Sequence, residues 1–383
     1  MPNSDYAIRP YCSADRKQVA ALMNSAFQSD GFQFLKNGQL IDWRFAQRGI
    51  PDYETHLFVC ENPSKSVIIG VVGCDFYEMW LQKRKIKIAE LFGLSVHRTY
   101  RGKGLGRRLS EWLYQFVRDK KRDAMISSTD PSGKVFISIE KPNGFQYLTT
   151  SRIYLGYGSA VSLLKKITPL AVILTPFFAL IRYLRLLPLT LSQKFWISDY
   201  KIAKVPTAHL SNFFALSQKI NPRFSNFYPY IPRLAWNWSR SPPCQSKLVE
   251  KPIFFQIYRR ERPLAGISVS FQYVYIKFFR KVMRCAVLND LWVDYSSGLT
   301  ADRLGDYLAL FLGKIQKFIT QHNGVLTIFM ASASNIFYTR LFPRLGFFGF
   351  NWSQISINPI TLIMPHEVRQ VFVGNSVALN TLP

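Results

Sequence analysis

Cysteine is scarce in this chain of 383 residues, which has five, Cys12, Cys60, Cys74, Cys244 and Cys285, an odd number and never in Cys-x-x-Cys spacing. Such a set suits neither a disulfide framework nor a zinc site, so no metal is expected. Acidic residues are short as well, 23 against 49 Lys and Arg, for a formal net charge of +26. A field of that sign argues against an acidic solvating protein and favours partners or substrates that carry negative charge. No nucleic-acid motif accompanies the charge, so nucleic acid is not an expected partner. The uncharged run Ile167 to Ile181 is 15 residues long and holds Pro169 and Pro176, short of the roughly 18–20 that a spanning helix needs. Met1-Pro2-Asn3-Ser4-Asp5-Tyr6 lacks a basic-then-apolar leader pattern, which makes the cytoplasm the expected location.

What is present is enough for two cores. The chain exceeds the usual size of a single domain, and 48% of it is hydrophobic. Its most informative stretch is Arg101-Gly102-Lys103-Gly104-Leu105-Gly106, between the apolar run ending at Val96 and the helix-like run from Arg107 to Leu113. Alternating glycines remove the Cβ atoms that would hold a backbone away from a phosphate, and a following helix presents its free N–H groups and positive dipole end at the same place. From Lys83 to Arg122 there are 13 Lys or Arg against three acids, Glu90, Glu111 and Asp119, which surrounds this anion cradle with positive charge. For any one of these bases a solvated helix face is an equal explanation.

The spacing Arg-x-x-Gly-x-Gly differs from the dinucleotide fingerprint Gly-x-Gly-x-x-Gly and resembles the acetyl-coenzyme A loop of the GCN5-related N-acetyltransferases (GNAT). The order of elements over about the first 150 residues is similar too. Tyr6 to Tyr11 and Val19 to Phe27 match the family's first strand and helix; His56 to Cys60 and Val67 to Cys74, separated by the turn-like Glu61 to Ser66, read as a hairpin. The resemblance implies a mixed α/β fold, a twisted sheet flanked by helices, and acetyl-CoA as co-substrate. It implies that Arg101, Gly102, Lys103, Gly104, Leu105, Gly106 and Arg107 meet the pyrophosphate and that the backbone of Leu94, Ser95 and Val96 meets the pantetheine arm.

The second half echoes the first. Leu40 to Phe45 recurs in character as Leu234 to Trp238. The hairpin recurs as Phe254 to Tyr258 and Leu264 to Ser270, and the strand ending at Val96 recurs as Val287 to Val293. An amphipathic helix over Leu304 to Gln321, closed by Asn323-Gly324, matches the one after Gly106. The expected organisation is a tandem: residues 1–158 an N-terminal GNAT acetyltransferase domain, 159–195 a connecting segment, and 196–383 a degenerate GNAT-like domain. The second loop, Tyr295 to Arg303, keeps one glycine, Gly298, and adds Asp302, so lost chemistry is expected there. In the connector, apolar residues flanked by Lys165, Lys166, Arg182 and Arg185 suit either packing between the domains or peripheral contact of 163–188 with the anionic inner face of a membrane.

Acyl transfer to an amine needs a base for the nucleophile and a proton for the departing thiolate. In the resembled family the base is often a carboxylate on the strand leading to the cofactor loop, and here Glu90 holds that place, with pairing to a nearby lysine such as Lys87 as the alternative. The usual acid is a tyrosine four residues before a Gly-Phe pair. The pair here is Gly144-Phe145 and Glu140 stands at that position, a departure from the family pattern that puts the acid in doubt. Tyr147 is a further candidate and Tyr154 a weaker one; core packing accounts for either equally well. The sequence thus points to an acetyl-CoA-dependent N-acyltransferase acting on a small-molecule or peptide amine. Two alternatives remain open: the same fold with another acyl or aminoacyl donor in cell-envelope or lipid metabolism, and a non-catalytic basic protein that binds polyanions or membranes.

Overall fold

The computed structural model describes residues 6–26, 32–46, 53–81, 84–129, 134–157, 199–224, 227–230, 247–332, 342–343 and 347–360. The connecting segment, including 163–188, and Leu234 to Trp238 lie outside them. In the N-terminal half the order is β1 (Ala7–Pro10), α1 (Arg16–Ala26), β2 (Phe32–Phe34), α2 (Gly38–Ala46), β3 (Tyr53–Asn62), β4 (Val67–Leu81), β5 (Arg84–Val96), α3 (Leu105–Asp119), β6 (Ala124–Thr129), a short helical turn over Phe136–Asn143 and β7 (Gln146–Tyr157). The second half repeats it with β8 (Tyr200–Lys204), α4 (Leu210–Phe224), β9 (Phe227–Tyr230), β10 (Ile253–Arg259), β11 (Arg262–Ile276), β12 (Lys281–Val293), α5 (Ala301–Gln321), β13 (Leu326–Ser332) and β14 (Phe348–Pro359).

Helices cover both faces of the sheet because its central strands are apolar on both sides. On α3, Leu105, Leu109, Leu113 and Val117 recur every four residues and bury one stripe against Phe58, Val72, Cys74, Ala89 and Leu91. The alternate residues of the same strands face α1, whose Val19, Leu22 and Met23 pack on Leu57, Val59 and Val71. In the second half α5 repeats the role of α3, with Leu304, Leu308, Phe311, Leu312, Ile315 and Ile319 against Ile267, Val269, Phe271 and Leu288.

The two half-sheets join edge to edge in the order β1-β3-β4-β5-β6-β14-β7-β13-β12-β11-β10-β8. Read from either end, the order gives corresponding strands, so a pseudo-two-fold axis passes between the antiparallel β14 and β7. The join is an exchange. β14, from the end of the second half, lies between β6 and β7 of the first, and β7 lies between β14 and β13 of the second. A smaller exchange repeats it, since β2 pairs with the end of β11 and β9 with the end of β4. Segments 1–158 and 196–383, expected as separate domains, are therefore interleaved at their seam. Tyr154, on the exchanged β7, is buried in the second half's core beside Phe329 and Phe342.

Candidate functional site

β5 and β6 run parallel, yet they pair only from Ile88↔Ala124 to Leu91↔Ser127, while β5 continues to Val96 and β6 to Thr129. The parting follows from a bulge. Gly73 faces Phe92 and Val71 faces Ser95, so Gly93 and Leu94 stand opposite Val72 alone, and Gly93 adopts φ +71°, which glycine reaches without steric cost. The end of β5 is thereby left with main chain that β6 does not pair. At the two parted ends Ser95 Oγ and Thr129 Oγ1 are buried and have no hydrogen-bond partner among the described residues.

Directly beyond lies the glycine loop. Gly102 and Gly104 have φ +77° and +78°, and a Cβ added at either would meet no atom within 4 Å. Among the described residues nothing fills the space these two glycines leave. Gly106, the third glycine of the alternation, is helical, and its Cβ would make an ordinary 3.7 Å contact with Val96. Gly104 is the N-cap of α3 and offers no capping side chain, so the first-turn amides are left to an external acceptor. Arg101, Lys103 and Arg107 are exposed around the turn, with Arg101 Nε held by the Val96 carbonyl at 3.0 Å and Arg107 Nη2 by the Ser138 carbonyl at 3.1 Å. Leu94 and Val96 pack toward α3 and Ser95 is buried. All ten residues expected to meet the cofactor thus lie on one continuous path from the opened strand into α3. An opened strand edge, orphaned hydroxyls and a Cβ-free, uncapped helix start fit the polar arm and diphosphate of coenzyme A.

The second half keeps the opening and loses the cradle. β12 and β13 pair from Cys285↔Leu326 to Leu288↔Phe329 and then part. At the start of α5, however, the N-cap is Thr300, whose hydroxyl accepts from the Arg303 amide at 3.3 Å, and Asp302 sits in the first turn. Asp294 accepts hydrogen bonds from Arg262 Nη2 and from Ser296 N and Oγ. Its own side chains satisfy and oppose that helix terminus, where an anion would otherwise sit.

Glu90 is buried on the α1-facing side of the sheet and accepts from Tyr77 Oη at 2.6 Å. Burial first, and Glu90 second, raise the Tyr77 phenol well above its ordinary value, so it remains a donor. Glu90 is register-aligned with Asp75 on β4, and Asp75 with Thr55 on β3; Thr55 Oγ1 donates to Asp75 Oδ1 at 2.8 Å and lies 3.0 Å from Tyr53 Oη. The other two catalytic candidates are not brought to this row. Glu140 is buried within the short helical turn, near Tyr114 of α3, which places it on the opposite face. Burial and the charge of Glu140 raise the Tyr114 phenol. Tyr147 is exposed on β7, its hydroxyl 2.7 Å from Thr150 Oγ1. Asp75, Thr55 and Tyr77 were not singled out from the sequence; the available signal was a pair of acids, Asp75 and Glu78, inside the otherwise apolar run of β4. Among the described residues no group of three or more His, Cys, Asp or Glu is placed to hold a metal ion, and no helix is long and apolar enough to cross a membrane.

Residues 20–134 match the profile of the Acetyltransferase (GNAT) family. No curated protein matches the chain. Among solved structures the fold is similar to Saccharomyces cerevisiae N-myristoyltransferase with bound myristoyl-CoA, at TM-score 0.65 and 12% identity over 94% of this chain and 80% of that one. It is similar also to a tandem GNAT protein from the clavulanic acid biosynthesis pathway, at TM-score 0.59 and 11% identity over 92% and 98%. A GCN5-related N-acetyltransferase from Anabaena variabilis matches at TM-score 0.53 and 10% identity over 92% and 72%. At such identities the likeness is one of fold.

Proposed function

We propose, from the premise that this is a tandem GNAT-fold protein whose first half carries an acyltransferase domain of the GNAT family, that it transfers an acetyl group from acetyl-CoA to an amine of a small molecule or peptide. The observation that carries the reading is the uncapped, Cβ-free turn at Gly102–Gly104, set at the opened end of β5. In this reading the main-chain amides at the start of α3 hold the diphosphate, and Arg101, Lys103 and Arg107 surround it with positive charge. The main chain of Leu94, Ser95 and Val96 pairs with the pantetheine arm. Glu90 takes the proton of the attacking amine: nitrogen bonds to the thioester carbonyl carbon, the carbon–sulfur bond breaks, and sulfur leaves with the electron pair. Glu140 lies on the other face of the sheet and Tyr147 at the surface, so the reading assigns the thiolate's proton to neither. The second half acts as a wall and a strand donor and performs no chemistry of its own. A reducing compartment such as the cytoplasm suits the buried free thiols of Cys60, Cys74 and Cys285.

The test is thermal unfolding with acetyl-CoA, longer acyl-CoA esters, free CoA and an aminoacyl-tRNA, followed by release of free thiol in the presence of an amine panel. Protection by acetyl-CoA together with amine-dependent thiol release is expected. Protection by none of the CoA species would sink the reading, and protection by a long-chain ester alone would change the donor.

A further inference from the structure

A small cavity of about 190 Å³ has Glu54, Phe76, Glu78, Lys87 and Arg122 in its lining, and the chemistry so far does not use it. The cofactor path begins at Leu94, seven residues along β5 from Lys87 and so roughly 20 Å away. Lys87 alternates with Glu90 and shares the α3 side of the sheet with Ala89 and Leu91. Phe76 lies under α3; Glu54 is its neighbour on β3, and Glu78 and Lys87 face each other one pair nearer the hairpin tip. α3 ends at Asp119, and the turn after it reaches this place. The chain comes back through Lys121 at φ +52°, and Asp123 pins it to β5. The Asp123 amide donates to the Lys87 carbonyl, and the Lys87 amide to Asp123 Oδ2, both at 2.7 Å. Arg122 is thereby laid on Phe76, its guanidinium 4.2 Å from the ring centre, and its Nε is buried with no hydrogen-bond partner among the described residues.

Charges of both signs therefore meet over one aromatic floor. Glu78 is paired with Lys85 at 3.0 Å, and Glu54 lies 3.1 Å from His56. Burial is the first cause that lowers the His56 pKa, so that ring is neutral at pH 7 and leaves the Glu54 charge in place. A phosphate here would meet two carboxylates, and a simple cation would meet Arg122 and Lys87. A molecule with a carboxylate and an ammonium group meets opposite charge at each end. The Arg122 fork suits the carboxylate, which it can hold with two parallel N–H bonds. The volume falls below the 300–1,000 Å³ usual for drug-sized ligands, which keeps the ligand small. We infer that this cavity binds a small zwitterion, an amino acid or a close analogue, with Arg122 and Lys87 on its carboxylate and Glu54 on its ammonium group. The site stands whether or not the chain transfers acyl groups.

The test is isothermal titration calorimetry, with saturation-transfer NMR for weak ligands, on the full chain without CoA. The probes are glycine, L-serine and L-glutamine, with acetate, methylamine and inorganic phosphate as partial ligands. At least one amino acid is expected to bind about 10-fold more tightly than any of the three partial ligands. Arg122→Gln and Glu54→Gln should each weaken that binding about 10-fold or more, the scale of a lost hydrogen bond to a charged group. If Arg122→Gln does not fold, Glu54→Gln and Lys87→Gln decide, since both side chains are exposed and their loss leaves the core untouched. Binding by none of the amino acids overturns the inference. Acetate or phosphate binding as tightly as the best amino acid also overturns it, because the ammonium group is then not recognised. Undiminished binding in the folded variants places the amino acid elsewhere and rejects this cavity.

Discussion

Gly104→Val separates the loop's backbone from its ligand. Gly104 has φ +78° and no atom within 4 Å of where a Cβ would stand. The substitution therefore meets no steric clash among the described residues, and its cost is the strain of a β-branched residue in the left-handed region, about 1–3 kcal/mol. Against a total stability of about 5–15 kcal/mol, the variant stays folded and melts a few degrees lower. The ligand feels a different effect, because the isopropyl group stands in the space beside the first-turn amides of α3. CoA at 100 times its Kd stabilises the wild type by about 2.7 kcal/mol. Each tenfold loss of affinity at fixed concentration removes up to about 1.4 kcal/mol of that, so a 100-fold loss removes most of it. Gly298→Val is the control. Gly298 has φ +75° in the second loop and equally open surroundings, so the strain is the same while the bound phosphate is absent. Differential scanning fluorimetry with and without CoA should show both variants melting lower and only Gly104→Val losing the CoA-dependent shift. A full shift in Gly104→Val, or its loss in Gly298→Val, refutes the placement of the cofactor.

Further outcomes follow from packing and charge. Because β7 and β14 are exchanged, fragments 1–195 and 196–383 expressed separately should each lack a cooperative unfolding transition, whereas co-expressed fragments should co-purify one to one; a fragment that folds alone would contradict the exchange. A Cβ at Gly70 would stand 2.6 Å from Leu109 Cδ1, so Gly70→Ala should cost about 1–3 kcal/mol and Leu109→Ala about 2–5, with the double variant costing less than the sum in urea unfolding. Asp15 accepts from Arg9 Nη1 and Nη2 at 2.7 and 2.9 Å, and this bond to Arg9 is the first cause holding its carboxyl below the ordinary range. The unfolded chain then takes up that proton at higher pH than the folded one. The stability Asp15 contributes is complete above the ordinary carboxylate range and is lost as pH falls through the folded value. Asp15→Asn should flatten that part of the acid unfolding curve, worth roughly 1–2 kcal/mol given a partly exposed partner, and an unchanged slope would contradict it.

How much was legible in advance differs from residue to residue. The shape of the 101–107 loop was readable because it depends on chain-local facts: which residues lack a Cβ, and that a strand precedes and a helix follows. The long helix near 304–321 was readable from its apolar spacing, and the structure places it at Ala301–Gln321. Gly106 shows the limit of such reading, since three alternating glycines look alike on paper and only two of them have positive φ. Glu140 and Tyr147 show another limit. Spacing to a Gly-Phe pair fixes a place in the chain, but it does not fix which face of the sheet a side chain meets.

The sequence by itself determined the alternation of strands and helices, the repeat of that order, and the glycine-rich, basic make-up of the first loop against the single glycine and added acid of the second, because these depend on residues near one another in the chain. The tertiary structure alone decided that β14 completes the first half and β7 the second, and that Thr55, Asp75 and Glu90 form one row. Strand partners and register are set by packing between segments more than 200 residues apart, such as Phe32 with Ile276, and no local pattern in the chain encodes which edge a strand will join.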